Sequence, residues 1–184
     1  MDKSGQLRMT VYSSLMAALT AAGAYIAIPI GPVPVVLQNM FVLLTGILLG
    51  RRWGLASIAV YLLAGACGLP VFAGGLGGIG RFVGPTGGYL IGYLPAVFVV
   101  GLISDHTRAN VVWDIAAMAC GVVVIYAFGV SWLKVLMDLT WFNAVVVGMN
   151  PVFLIADALK VIGAAAIAGA IRPVIHRYGV VEIS

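Results

Sequence analysis

The sequence has few charged residues. They make up 9% of its 184 positions, whereas a typical soluble domain has about 25%. Hydrophobic residues make up 62% of the chain. So few polar side chains cannot cover the surface of a water-soluble globule, and the shortage indicates a surface that faces lipid. The net charge of +4 comes from basic residues scattered between apolar blocks, which argues against a nucleic-acid partner.

The sequence also lacks the motifs of common metal sites, nucleotide sites and hydrolases. Its two cysteines, Cys67 and Cys120, lie in apolar runs without CxxC or Cys/His spacing. There is no Gly-Lys dipeptide and hence no Walker A loop, and there is no HExxH or GxSxG. The run Gly75–Gly80 matches GxGxxG, but it lacks the strand and the acidic residue of a dinucleotide site. We therefore expect a protein that is not an enzyme and has no metal or cofactor.

Long apolar runs are abundant, and six of them are separated by polar, glycine-rich or proline-rich breaks. A helix needs about 20 apolar residues to cross a bilayer, and most of the runs approach this length. They predict an all-α integral membrane protein with six transmembrane helices, in which residues 1–184 form one domain. We expect the first run to be retained as a helix, because it is longer than the core of a signal peptide. The runs span residues 10–30, 36–50, 53–69, 85–103, 110–129 and 150–171.

The basic residues predict how the runs are oriented. With a cytoplasmic N-terminus, the cytoplasmic links carry seven lysines and arginines, whereas the outer links carry only Arg81 and Lys134. This asymmetry has the sign of the positive-inside rule, so both termini are expected to be cytoplasmic. The seven residues are Lys3, Arg8, Arg51, Arg52, Arg108, Arg172 and Arg177.

Two links on the predicted outer face, 69–84 and 129–150, are unusually long. In the second, apolar residues with Lys134 and Asp138 four apart favour a short amphipathic helix at the interface. A re-entrant or seventh segment is the alternative. Long connections in a compact protein often form lids, so both links are predicted to cap a pocket that opens outwards.

An acid and a base interrupt the last apolar run. Asp157 and Lys160 are three residues apart and share one helix face. Each costs about 2.5–3.5 kcal/mol inside a membrane helix, so a partner or a function is expected. One explanation is a mutual salt bridge that holds helices together, and the other is a polar anchor for a ligand with adjacent N–H and C=O groups. Gln38 lies at the same predicted level and is a further pocket candidate, while Asp114 is expected to be interfacial without a role.

The first outer link is rich in glycine, with six glycines between Gly74 and Gly84. Glycine allows positive φ and close approach of the backbone to a ligand. Arg81, in the same link, would bind a ligand carboxylate or else face solvent or headgroups. Tyr89 and Tyr93, one turn apart beyond the link, would line the pocket or belong to the interfacial aromatic belt.

This link and the helix after it resemble a known family. The run PVFAGGLGGIGRFVGPTGGYLIGY, with LQNMFVLLTGILLG and FLIADALK elsewhere, is similar to the BioY family. These are the biotin-specific membrane subunits (S components) of energy-coupling-factor transporters, and the resemblance covers essentially the whole chain. It implies six helices in the plasma membrane and a vitamin pocket near the outer face. It also implies a transmembrane coupling subunit and two cytoplasmic ATPases as partners.

The resemblance further implies roles for particular residues. Asp157 and Lys160 would hold the ureido ring of biotin, and small residues of the first helix would dock on the coupling subunit. In one place the chain departs from many relatives, which have a glycine before the acid where this chain has Ala156. Its methyl group would narrow the pocket there, or else the loop would enter the helix one residue differently. The predicted substrate-binding residues are Asp157, Lys160, Gln38, Arg81, Gly75, Thr86 and Tyr89, and the predicted docking residues are Ala17, Ala18, Ala21 and Ala22. The spacing of these alanines fits an ordinary internal helix contact equally well.

Two other functions fit part of the pattern. An importer subunit for another vitamin would have the same fold, and competition between biotin, thiamine and riboflavin would distinguish the two. An intramembrane enzyme that uses Asp157 and Lys160 as acid and base would need more polar residues at that depth. The sequence offers only Gln38 and Asn39.

Overall fold

The computed structural model describes residues 3–107, 110–149 and 151–177, and the side chains up to residue 173. In this part of the chain every long element is a helix. Arg108, Asn150 and both chain ends, which the sequence analysis assigned to sides of the membrane, lie outside the described residues. The helices are α1 (Lys3–Tyr25), α2 (Gln38–Ala66), α3 (Gly80–Val83), α4 (Gly87–His106), α5 (Val111–Leu136), α6 (Trp141–Gly148) and α7 (Pro151–Arg177), and the strands are β1 (Ala27–Ile28) and β2 (Val35–Val36).

Helix α2 consists of two arms, 38–49 and 51–66, that fold back on each other at Gly50. This residue has φ 69° and ψ −176°, a conformation that glycine adopts at little cost. A Cβ built on Gly54 would lie 3.6 Å from the Cα of Gly46. In a straight helix, residues eight apart would be separated by about 12 Å. The second and third predicted runs therefore correspond to the two arms of one helical hairpin.

Four helices in the described residues, α2, α4, α5 and α7, are long and apolar enough to cross a membrane. Their outward surfaces carry large apolar side chains, since Leu63, Val123 and Leu159 are 64%, 65% and 66% exposed. Water-soluble proteins rarely leave large contiguous apolar surfaces uncovered. The chain is therefore an all-helical, multi-pass membrane protein.

Helix α4 lies at the centre of the bundle, between α2 and α5. Both arms of α2 contact it, because a Cβ on Gly54 would lie 3.1 Å from Val97 and one on Gly46 would lie 2.8 Å from Val100. On its other side, a Cβ on Gly92 would lie 3.0 Å from the Cβ of Phe128 in α5. Small residues thus let the backbones of three helices approach closely. Such close packing stabilises helix association in a membrane, where the hydrophobic effect does not drive it.

The predicted amphipathic helix in the second outer link is wrong. Helix α5 continues past the predicted end at residue 129 as far as Leu136, so Lys134 lies in its last turn. Lys134 forms no ion pair with Asp138, although both are described, and its ammonium lies 5.2 Å from the ring of Trp141 instead. The short helix of this link is α6, whose eight residues are too few for a seventh crossing.

A buried ion pair joins α5 to α7 at one end of the bundle. Asp114 is 1% exposed, and its carboxylate accepts hydrogen bonds from Nη1 and Nη2 of Arg172 at 2.6 and 3.0 Å. Nη2 also donates to Ser104 Oγ at 3.2 Å and to the carbonyl oxygen of Ile47 at 3.4 Å. We call these four residues the distal cluster. The sequence analysis gave Asp114 no role, but the structure buries it and pairs it with Arg172, so it links α5 to α7. Its interfacial level in the membrane stays a prediction.

The opposite end of the bundle is covered by a roof, which consists of residues 26–37 and 67–86. In the first part, β1 and β2 pair antiparallel, with Ala27 opposite Val36. In the second part, Phe72 anchors the link by packing edge-on against Tyr61 and Phe82, with ring centroids 5.6 and 5.7 Å apart. A hydrogen bond from the Gly74 amide to the carbonyl oxygen of Ala24, near the end of α1, ties the second part to the bundle. The roof is therefore a packed structure rather than a loose pair of loops.

Candidate ligand-binding cleft

A cleft lies beneath the roof, between α2, α4, α5 and α7. Its cavity volume is about 50 Å³, and the cleft is partly open to the outside. Phe72, Leu90 and Phe153 give it apolar and aromatic walls. Polar side chains converge at one depth from the first turn of α2 and from α7. A cleft with apolar walls and a few convergent polar groups is the usual form of a site for a small organic ligand.

The paired acid and base lie in this cleft. Lys160 Nζ donates to Asp157 Oδ1 at 2.7 Å, and the two side chains are 10% and 6% exposed. The predicted salt bridge is therefore formed. Because both residues belong to α7, however, it joins no second helix. The ion pair itself therefore adds no link between helices to offset its desolvation cost, which favours the prediction of a ligand anchor.

Tyr126 of α5 provides a second hydrogen bond to the carboxylate of Asp157. Its hydroxyl donates to Asp157 Oδ2 at 2.6 Å. Each carboxylate oxygen accepts about two hydrogen bonds, so one acceptor position on each remains for a ligand N–H. Sequence reasoning missed Tyr126, because a single tyrosine 31 residues before its partner carries no local signal.

Gln38 offers a hydrogen-bond donor in the same cleft. It begins α2, as predicted, and is 1% exposed. Its Nε2 has no hydrogen-bond partner among the described residues. A buried donor without an acceptor costs about 1–3 kcal/mol, and a ligand carbonyl would remove that cost. The neighbouring Asn39 is already engaged, since its Oδ1 accepts from Tyr93 at 2.7 Å.

Two predicted residues of α4 and its start, Thr86 and Tyr89, also line the cleft. Tyr89 stacks edge-on against Tyr126, with ring centroids 6.2 Å apart. Its hydroxyl donates to the carbonyl oxygen of Gly148 at 2.8 Å. Tyr89 therefore fixes the end of α6 against α4 and also shapes the wall beside Asp157. Its place in an interfacial aromatic belt is excluded by its burial.

Arg81 and Gly75, both from the glycine-rich link, lie farther out. Arg81 lines an outer chamber that adjoins the cleft, and it forms no ion pair within the described chain. Gly75 lines neither space, because a Cβ built on it would lie 3.1 Å from the ring of Tyr25. Its φ of 72° gives it a conformational role in the link. The neighbouring Gly74 lines the outer chamber instead.

Comparison with known proteins places these residues in a family. The model of the BioY family matches residues 1–177. The chain belongs to the BioY family. The biotin transporter BioY of Thermotoga maritima is 41% identical over 163 residues, which cover 88% of this chain and 94% of that protein. The biotin transporter BioY of Rhizobium etli is 36% identical over 175 residues, covering 89% and 92%.

A solved structure supports the same assignment. The crystal structure of the S-component for biotin from an ECF-type ABC transporter superposes with a TM-score of 0.88 and 31% identity, covering 94% of this chain and 95% of that one. The fold of the BioY chain is therefore that of an S component. The relatives are transporters, which confirms the prediction that the chain is not an enzyme.

In this BioY chain the four predicted docking residues of α1 do not share one environment. Ala17 is 7% exposed and belongs to the core, against which Ala21 is partly buried. Ala18 and Ala22 are exposed, and so is the neighbouring Leu15. The internal helix contact accounts for the first pair. Only the second pair faces outwards.

Proposed function

We propose that this chain is the biotin-binding membrane subunit of an energy-coupling-factor transporter, which captures biotin at the outer face for ATP-driven import. The observation that carries the proposal is the buried Asp157–Lys160 pair in a cleft, beside the donor nitrogen of Gln38 that has no partner among the described residues. Membership of the BioY family supports biotin over other vitamins.

The chemistry of biotin complements these groups. Its planar urea has two N–H donors and one carbonyl acceptor. The free acceptor positions of Asp157 suit the N–H groups, and the donors of Lys160 and Gln38 suit the carbonyl. Charge-assisted hydrogen bonds contribute about 1.5–3 kcal/mol each, and burial of the thioether ring and alkyl chain adds to them. Together these terms can reach the ~12 kcal/mol that nanomolar binding requires.

The proposed membrane arrangement has six crossings, formed by α1, the two arms of α2, α4, α5 and α7. An even number of crossings puts both termini on the same side of the plasma membrane. The excess of basic residues in the links on that side favours the cytoplasm. The cleft and its roof then lie at the outer face, where external biotin arrives.

The proposed partners are a transmembrane coupling subunit and two cytoplasmic ATPases. The sequence has no ATP-binding motif of its own, so the energy must come from other chains. The exposed Ala18 and Ala22 are four residues apart on α1, a spacing that allows a second helix to approach closely. We expect this part of α1 to contact the coupling subunit.

The test is retention of radiolabelled biotin by the purified chain, with excess unlabelled biotin, thiamine or riboflavin as competitors. Only unlabelled biotin should displace the label. Asp157→Asn and Lys160→Ala should each weaken binding by about 100-fold or more, because each leaves a buried polar group without its partner. Both variants should elute as folded monodisperse protein in detergent. The control Asp138→Asn changes an exposed acid and should bind normally. Unchanged affinity of both cleft variants by calorimetry would refute the site.

A further inference from the structure

A second, wider space adjoins the cleft. The outer chamber has a cavity volume of about 350 Å³ and is partly open to the outside. Four residues line both spaces, and we call them the neck: Pro34, Phe72, Ala73 and Thr86. A molecule anchored in the cleft can therefore extend past the neck into the chamber.

The two spaces differ in burial. In the cleft, the side chains around the acid–base pair are buried, among them Gln38, Tyr93 and Tyr126. The outer chamber is bounded instead by the exposed Pro29 and Leu76. A substituent on the inner end of a ligand would thus collide with packed side chains. A substituent on the outer end would meet open space.

The two spaces also differ in charge. The cleft holds the Asp157–Lys160 pair, whose opposite charges offset each other, whereas the described residues that line the chamber include Arg81 and no acid. An anionic group in the chamber therefore meets a guanidinium and no fixed negative charge. This arrangement suits the carboxylate end of a ligand but does not enclose it.

Building on the proposed function, we propose that the site also binds biotin whose carboxyl group is extended through an amide bond, with ε-N-biotinyl-lysine as the representative compound. The urea remains on Asp157, Lys160 and Gln38, and the alkyl chain passes the neck. The amide-linked amino acid then occupies the chamber, where its own carboxylate lies in the field of Arg81. Specificity resides in the urea end, because only that end is surrounded by buried groups.

The experiment is competition against radiolabelled biotin on the purified chain, with biotin, biotinyl-lysine and a biotin methylated on a urea nitrogen. Biotinyl-lysine should bind within about tenfold of biotin, a difference of about 1.4 kcal/mol. The urea-methylated compound should be weaker by about 100-fold or more. If biotin is retained but a 100-fold excess of biotinyl-lysine does not displace it, the inference is overturned while the proposed function stands. If biotin itself is not retained, the proposed function has failed.

A substitution in the outer chamber provides a second test, because it should weaken the binding of the two ligands to different extents. Leu76 is 42% exposed and lines the chamber but not the cleft. Leu76→Trp should weaken biotinyl-lysine about tenfold more than biotin, since the larger ring takes up space that only the extended compound needs. Leu69→Trp is the control, because Leu69 is 55% exposed in the same link and lines neither space. Equal effects of Leu76→Trp on both compounds would contradict passage through the chamber.

Discussion

The described residues contain two buried acid–base pairs, at opposite ends of the bundle. Both use α7, on which Asp157 and Arg172 are separated by about 22 Å along the helix axis. The pair in the cleft lies within one helix and is held by a single hydrogen bond from Lys160. The distal pair connects two helices, because the guanidinium of Arg172 grips both oxygens of Asp114. Burial and opposite charge alone therefore do not distinguish their roles.

The difference lies in how much hydrogen-bonding capacity is left over. In the distal cluster, Arg172 also reaches Ser104 and a backbone carbonyl, and neither the cleft nor the outer chamber is lined by these residues. At the cleft, Asp157 keeps free acceptor positions, and Gln38 has a donor without a partner in the described chain. A saturated pair holds helices together, whereas an unsaturated pair beside a cavity is suited to a ligand.

The largest loss of stability is expected from a substitution in the distal cluster, which tests whether that pair holds the helices together. Asp114→Asn removes the charge that compensates buried Arg172, and we expect it to lower the free energy of unfolding by about 3–5 kcal/mol. Thermal denaturation of the detergent-purified protein measures the loss. The fraction that remains folded should bind biotin within about threefold of wild type, since the cleft is far away. A variant as stable as wild type would show that the distal pair does not hold the helices together. A variant that is folded but no longer binds would show that the two ends are not separate in role.

A smaller effect is expected at Tyr126, which donates a hydrogen bond to the cleft pair. Tyr126→Phe removes one charge-assisted hydrogen bond from Asp157, worth about 1.5 kcal/mol, so biotin affinity should fall about tenfold with little change in stability. Calorimetry gives the affinity directly.

The matched control is Tyr61→Phe. Tyr61 is also buried, but its hydroxyl donates to the carbonyl oxygen of Val71 and does not touch the carboxylate. It should leave biotin affinity within about twofold. If both variants weakened binding equally, Tyr126 would act through general packing rather than by orienting Asp157.

The smallest effect on stability is expected for an exposed ion pair, which serves as a comparison for the two buried pairs. Arg51 and Asp105 lie 3.6 Å apart beside the Gly50 turn, with side chains 44% and 31% exposed. Exposed ion pairs contribute about 0.2–1 kcal/mol, so Arg51→Gln should scarcely shift the melting temperature. The same denaturation assay checks it. A loss as large as that of Asp114→Asn would mean that burial does not rank these pairs.

Local signals in the sequence were enough for part of this picture. The apolar runs located the long helices, and Gln38 was placed correctly at the start of α2. The three-residue spacing of Asp157 and Lys160 put both on one helix face because helical geometry requires it. These are short-range properties, and each depends on only a few neighbouring residues.

The remaining features depend on residues far apart in the chain. Asp114 meets Arg172 across 58 positions, and nothing near either residue signals the contact. Tyr126 reaches Asp157 in the same way from a different helix. The end of α5 was misplaced because Lys134 looked like the polar face of a separate helix, whereas it only continues the last turn. Such outcomes are decided by tertiary packing, which one sequence does not display.

The packing of Phe72 affects the residence time of a bound ligand. Its ring fills a notch at Gly65, where no Cβ stands in the way, and it also forms part of the neck. Widening the neck requires this ring to leave its notch, and exposing a buried phenylalanine costs about 1.5–3 kcal/mol. If that cost falls on the exit barrier, it lengthens residence by about ten- to a hundredfold. Phe72 would then set the dissociation rate of the ligand, whereas the polar groups of the cleft set its specificity.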